Sequence, residues 1–284
     1  MLLHYFFFFV INICLYNQTN PYYMSVITLL TDFGSLYPAA MKGVILNINN
    51  SANIVDITHS IAQADIYTGA FSLYSVAGYF PEGTVHIAVV DPGVGTKRRP
   101  VAVRAGEHYF VGPDNGLIIP AARKIRNTDF DVFEITNQDL MNSTISSTFH
   151  GRDIFAPVGA HLSKELEIEK VGHKIDDYVN LDFGIAEFKN NTIKGKVIYI
   201  DDFGNIITNI PANTIFKFTD FGTVLKVFGQ NIPFLQTYGF VGKDENIALI
   251  SSSGFFEISI NQGNAAKELD INIGDRVDVG LSEK

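Results

Sequence analysis

The 284-residue chain has no tryptophan and a single cysteine, Cys14. One thiol excludes a disulfide framework and any zinc site built from cysteines. Positive charge is also scarce, with 21 Lys and Arg against 30 Asp and Glu and a formal charge of -9. A surface of that sign is repelled by phosphate, which excludes general binding to nucleic acid or to an anionic membrane. The histidines include no His-x-x-x-His pair, so metal-ligand spacing is missing. The full phosphate-loop spacing ending in Gly-Lys-Ser/Thr is missing too. The 24 glycines and 10 prolines follow no collagen-like or low-complexity period. Charged residues make up 18% and apolar residues 46%, which excludes global disorder and permits a sizeable core.

Long apolar runs are lacking as well. The run from Leu2 to Tyr16 falls short of the roughly 20 residues that a spanning helix needs. Residues 1–23 are Phe-rich and unlike the rest. No Lys or Arg precedes the run, and no small-x-small cleavage site follows it. The leading reading is an extension or a mis-assigned start ahead of Met24, which makes the protein cytoplasmic. An export signal and an anchor are the competing readings, and export follows if residues 1–23 are a genuine signal.

From Met24 the pattern alternates. Val26–Leu30, Asn53–Ile57, Val85–Val90 and Asp131–Ile135 read as strands. Helices are expected over Pro38–Asn47, Asp65–Tyr79, Gly116–Lys124 and Asp153–Leu162, with Asp65 capping the second and Asp153 or its neighbours the last. Pro100–Arg104 and His108–Val111 read as a hairpin around Gly106. Strands alternating with helices predict an α/β layered domain with a largely parallel sheet, residues 24–184. Beyond the boundary near Gly184–Asn191, short β runs separated by Gly, Asn and Pro predict a smaller all-β barrel or sandwich, residues 191–284. Asp-Phe-Gly recurs at Asp32, Asp182, Asp202 and Asp220 with unrelated flanks, which reads as turn chemistry.

Four clusters carry chemical potential. Thr31-Asp32-Phe33-Gly34 ends the first strand, where open sheets face their ligand crevice, and a carboxylate there can accept from a ribose diol. Asp91-Pro-Gly-Val-Gly-Thr-Lys-Arg98-Arg99 ends another buried strand on the same edge, with glycines that allow close approach to a ligand. Ser146-Ser-Thr-Phe-His150-Gly-Arg-Asp precedes a helix. Tyr199-Ile-Asp201-Asp202-Phe-Gly-Asn205 is a polar loop suited to a purine edge or an ammonium group. Against each stands the plainer reading of a solvated turn or a structural histidine.

In order and spacing, TDFG, DPGVGTKRR, VGPDNGL, SSTFHGRD and DDFGN resemble the S-adenosyl-L-methionine (SAM) hydroxide adenosyltransferases, or SAM hydrolases. These enzymes are related to fluorinating and chlorinating enzymes that act on the same substrate. The resemblance runs from Met24 to the C-terminus. It implies attack of water at ribose C5′ of SAM, giving adenosine and L-methionine, with no cofactor and no metal. It implies that Asp91, Arg98 and His150 are the catalytic group and that Asp32 holds the ribose hydroxyls. Tyr37 falls where a residue lines the pocket, and Tyr238 where an aromatic packs on the adenosine. Asp201 matches the contact to the methionine amino group, and Asn205 the adenine edge. Ser252 and Ser253 correspond to the stretch near the methionine carboxylate. Ile260 and Gln262 correspond to backbone contacts with adenine. The resemblance further implies a homotrimer with each site between subunits. The halogenating relatives carry Tyr-Ser where this chain has His150-Gly151, and Tyr where it has Asp91, which favours water over halide. A SAM-dependent halogenase of the same fold and a non-catalytic SAM or adenosine sensor remain as alternatives.

Overall fold

The computed structural model describes residues 25–281. The readings made for residues 1–23 lie outside it. Among the described residues no helix is long and apolar enough to cross a membrane.

The first half is a seven-stranded sheet with helices on both faces. Its strands are β1 (Val26–Thr31), β2 (Asn53–Thr58), β3 (Val85–Val89), β4 (Pro100–Ala105), β5 (His108–Pro113), β6 (Asp131–Ile135) and β7 (Gly172–Ile175). They lie in the order β2-β1-β3-β5-β4-β6-β7. The strands β2, β1, β3 and β5 run parallel. The hairpin β4–β5 then reverses direction, and β6 and β7 continue antiparallel, so the sheet is mixed. Every residue of β3 is buried, as a strand covered on both faces must be.

One face is covered by α1 (Tyr37–Ile48) and α4 (Ala156–Leu162), through residues such as Met41, Ile45 and Val158. The other is covered by α2 (Ile66–Val76) and α3 (Ile119–Arg126), through Phe71, Leu73 and Ala122. Asp65 caps α2 by accepting the Thr68 N–H. The helix expected from Asp153 starts later, because Gly151–Phe155 form a π turn and α4 begins at Ala156. Asp153 does not cap it; its carboxylate holds the preceding loop instead.

The second half is an eight-stranded antiparallel sheet. It comprises β8 (Glu187–Lys189), β9 (Thr192–Ile200), β10 (Ile206–Pro211), β11 (Val224–Val227), β12 (Gln230–Pro233), β13 (Asn246–Ile250), β14 (Phe255–Ile260) and β15 (Arg276–Gly280). The order is β12-β11-β15-β9-β10-β14-β13, with β8 on β9. A bridge between Phe234 and Ala248 brings the two ends together, so the sheet nearly closes into a barrel. Phe234, Phe256, Ile258 and Val277 are in its core. Outside that core, Phe71 of α2 stacks on Tyr199 at 4.8 Å and leans on Phe255, which fixes the barrel against the α/β half. All four Asp-Phe-Gly glycines lie at positive φ, as tight turns require.

Candidate active site

The register that pairs Thr31 with Val89 puts the carboxyl ends of β1 and β3 side by side, so Asp32 and Asp91 leave the same sheet edge. Arg98 returns from the loop after β3 and grips Asp91 with both arms of its guanidinium, Nε donating to Oδ1 at 3.0 Å and Nη2 to Oδ2. The two side chains are only 8% and 3% exposed, so the pair is desolvated. Nη2 also donates to His150 Nδ1 at 3.0 Å. Arginine offers donors and no acceptor, so Nδ1 must hold its lone pair. The His150 ring is therefore neutral, with its proton on Nε2. Burial first, and then the Arg98 charge, lower its pKa against the opposing pull of Asp91 and Asp153. Arg98 Nη1 is buried and has no partner among the described residues. Arg98 thus links the Asp91 carboxylate and the His150 ring into one hydrogen-bonded group.

His150 is held by a loop that Asp153 organises. The Asp153 carboxylate, 1% exposed, accepts from Ser146 N–H, Asn142 Nδ2 and Arg152 Nε. Burial alone would raise its pKa, but these donors hold it well below the usual carboxylate range. Gly95 was expected to admit a ligand. Its φ is 74°, and a Cβ there would collide with the Ser147 carbonyl, so it lets the two active-site loops meet instead. A Cβ on Gly151 would come within 2.9 Å of Phe33 and 3.2 Å of Phe149. The second arginine of the motif, Arg99, turns away to Asp114 and Asp177 and ties down the chain beyond β7.

Asp32 is steadied by the Ala64 N–H on Oδ2 at 2.9 Å, and among the described residues no donor reaches its Oδ1. Ala64 sits at φ 64°, a strained conformation for a residue with a Cβ. Tyr37 opens α1 and is 56% exposed. Its ring meets Phe149 edge-on at 5.5 Å, and Phe33 meets the same ring, giving an aromatic wall next to His150.

The remaining expected residues gather on the barrel. Asp201 lies in the β9–β10 turn, where Oδ1 accepts from the Phe203 and Asn205 N–H groups and Oδ2 from Asn205 Nδ2. The carboxylate therefore fixes the Asn205 amide, whose Oδ1 stays available. In the β13–β14 turn, Ser253 pairs with Ser251 at 2.8 Å, and Ser252 is exposed. The Ile260 side chain belongs to the barrel core, so only its backbone can meet a ligand, and its carbonyl takes the Gly263 N–H. Gln262 is exposed at φ 58°. Tyr238 donates its hydroxyl to Glu257, a buried residue that sequence reasoning missed. The signal was a lone acid inside the apolar run Phe255–Ile260. Among the described residues no hydrogen bond, ion pair or ring contact joins this barrel group to the group around Asp91. Nor is any set of three His, Cys, Asp or Glu side chains gathered as metal ligands there.

Two family models cover most of the chain. The SAM hydroxide adenosyltransferase N-terminal domain matches residues 27–172, and the C-terminal domain of the same family matches residues 195–278. A protein of Methanocaldococcus jannaschii named (R)-S-adenosyl-L-methionine hydrolase is 38% identical, over 90% of this chain and 96% of that one. A fluorinase of Actinopolyspora mzabensis is 26% identical, over 93% of this chain and all of its own length. The crystal structure of an uncharacterised conserved protein from Thermotoga maritima superposes with a TM-score of 0.84 at 36% identity, covering 89% of this chain and 99% of that one. With both of its domains matched in order, this chain belongs to the SAM hydroxide adenosyltransferase family.

Proposed function

We propose that this enzyme hydrolyses SAM to adenosine and L-methionine by in-line attack of water at ribose C5′. The carrying observation is the Asp91–Arg98–His150 group, in which one guanidinium bridges a buried carboxylate and a neutral imidazole and keeps Nη1 unpartnered. The oxygen–C5′ bond forms as the C5′–sulfur bond breaks. The sulfonium leaves as a neutral thioether and needs no acid. The difficulty lies with water, which must be oriented and must lose a proton. Arg98 Nη1 and His150 Nε2–H are donors that can hold the water oxygen. With the His150 Nδ1 lone pair already taken by Arg98, Asp91 is the acceptor left for the water, so it takes the water's hydrogen bond and then its proton, which passes to solvent. No step calls for a metal or an organic cofactor.

Substrate binding follows in the same proposal. Asp32 Oδ1 accepts from the ribose diol and Tyr37 lines the pocket. Asn205 Oδ1 takes the adenine amino group, Tyr238 packs on the adenosine, and the backbone near Ile260 and Gln262 meets the adenine edge. Asp201 faces the methionine ammonium with its remaining lone pairs, and Ser252 and Ser253 face the carboxylate. The α/β domain (24–184) supplies Asp32 and Tyr37 beside the catalytic group, and the β domain (191–284) supplies the rest. We infer a homotrimer that brings the two sets together between subunits, in a cytoplasmic protein. A mature chain starting near Tyr22 in an extracytoplasmic fraction would overturn that location.

A halogenase fits less well. The buried Asp91 carboxylate repels an incoming halide, and the close packing on Gly151 leaves little room for the serine of the halogenating relatives. A sensor without turnover has no use for a desolvated Asp91–Arg98 pair, which is expensive to bury. The deciding experiment is incubation with SAM in 18O-labelled water, with and without chloride or fluoride and with a chelator present. Label in the adenosine 5′-hydroxyl is expected. A 5′-halo-adenosine, unlabelled adenosine, or activity that needs a restored divalent ion would each overturn a named part of this reading.

A further inference from the structure

Tyr238 sits in an exposed stretch, residues 236–240, between β12 and β13. Among the described residues, the one hydrogen bond from this stretch to the barrel is the Tyr238 hydroxyl on Glu257 Oε1, at 2.5 Å. Everything else the stretch makes is local, namely the Phe240 N–H to Thr237 and the Val241 N–H to Tyr238. The same Oε1 accepts the Ser259 hydroxyl at 2.7 Å. No donor among the described residues reaches Oε2.

Glu257 is itself unusual. It is 4% exposed in a strand whose six residues are all buried. Its neighbours Phe256 and Ile258 point into the barrel core, whereas Phe255 packs toward the α/β half. Strand alternation therefore sets Glu257 and Ser259 on the outer face of the barrel, under Tyr238. Burial raises the Glu257 pKa, and the nearby Asp201 raises it further, while the two hydroxyls lower it. Burial and the Glu257 carboxylate also raise the Tyr238 pKa, so the phenol remains the donor. An apolar residue of similar volume would remove the desolvation cost, so packing alone does not account for an acid here.

We propose that Glu257 is a positioning residue for substrate binding, holding the Tyr238 ring against the barrel as one wall of the nucleoside subsite. The proposal rests on the reading that Tyr238 packs on the adenosine. Glu257 touches no reacting atom, so it acts on KM and not on kcat. Its loss frees the stretch 236–240, and SAM binding must then restore the order.

The test compares Tyr238→Ala, Tyr238→Phe, Glu257→Leu and Glu257→Gln. Tyr238→Phe keeps the ring and removes only the hydroxyl. It should raise KM for SAM roughly fivefold, with kcat changed by less than about twofold. Glu257→Leu should do the same without lowering thermal stability, and Glu257→Gln, which keeps an acceptor oxygen, should recover most of the loss. The double variant Tyr238→Phe/Glu257→Leu should be no worse than either single one. If Tyr238→Ala leaves KM unchanged, the underlying reading of Tyr238 fails. If Tyr238→Ala raises KM while Tyr238→Phe and Glu257→Leu do not, the ring matters and the positioning role of Glu257 is refuted. If Glu257→Leu does not fold, Tyr238→Phe still decides.

Discussion

Two adjacent arginines, Arg98 and Arg99, are indistinguishable by residue type, yet they do unrelated work. Arg98 holds Asp91 and His150, whereas Arg99 ties Asp114 to Asp177. Only the direction in which each side chain leaves the loop before β4 separates them, and sequence does not carry that direction. The catalytic role proposed for Asp91, Arg98 and His150 predicts a clean kinetic split. Asp91→Asn, which leaves Arg98 an acceptor oxygen, and His150→Ala should each lower kcat by about 10²- to 10⁴-fold, with KM changed only a few-fold. Asp32→Ala should chiefly raise KM, because the ribose diol loses its acceptor. A proton on His150 Nδ1 would face Arg98 Nη2 and break their hydrogen bond. Since the His150 pKa is lowered, kcat should hold through neutral pH and fall on the acid side with a midpoint below the ordinary histidine value near 6.5. Comparable losses of KM and kcat in all three variants would argue against separate roles. Glu257 escaped the sequence reading for a different reason. Its partner Tyr238 is 19 residues away, and the pairing depends on strand register.

At the scale of elements, long periodic segments were legible and short polar ones were not. The strands β1 and β3 and the helices α1 and α2 stand out because burial on two faces, or on one stripe, writes itself as an apolar period. The strands β7, β8, β12 and β15 did not stand out, since edge pairing and charged alternation such as Arg276-Val-Asp-Val-Gly look like loop. The π turn at Gly151–Phe155 has no sequence period at all, and within it the buried Asp153 carboxylate accepts from the preceding loop. One buried polar element yields a stability prediction. On β3, His86 is fully buried, contacts Thr28 Oγ1 through Nδ1 at 2.8 Å and stacks on His108 and Phe110. Burial, with His108 beside it, lowers its pKa to about 3. The native state therefore keeps His86 neutral where the unfolded chain protonates it. Stability is complete above about pH 6.5 and is lost as pH falls toward 3, by roughly 2 kcal/mol at pH 5. Urea unfolding at pH 7.5 and pH 5 should show this loss, and His86→Phe should remove most of it even though its overall stability falls through Thr28. An equal acid loss in both proteins would acquit His86.

For the whole molecule, the chemistry is divided between two surfaces. Asp32, Asp91, Arg98 and His150 lie at the sheet edge of the α/β half, and Asn205, Tyr238 and the turn at Ser252 lie on the barrel. The interface within the chain includes Phe71, Tyr74, Phe183, Tyr199 and Phe255, packed ring against ring. Large apolar side chains are exposed beside both polar groups, with Leu36 at 73%, Phe203 at 76% and Phe240 at 61%. Such side chains are best covered when the sheet edge of one copy meets the barrel of another. In the homotrimer proposed above, a head-to-tail contact whose rotation closes on itself would give three complete sites. The proposed contact would also exclude bulk water from the sulfonium. This arrangement predicts complementation. On the proposed roles, Asp91→Asn subunits would lack the base and Asn205→Ala subunits the adenine contact, so each variant alone should be nearly inactive. Mixing the two under conditions that allow exchange should restore activity, because some interfaces then join an intact sheet edge to an intact barrel. With equal mixing and random assembly, about a quarter of the interfaces should be of this kind and about a quarter should carry both lesions. Recovery near a quarter of the wild-type rate, appearing only after exchange, is the expected result. A fully active monomer at assay concentration, or no recovery from subunits shown to have exchanged, would place the whole site within one chain.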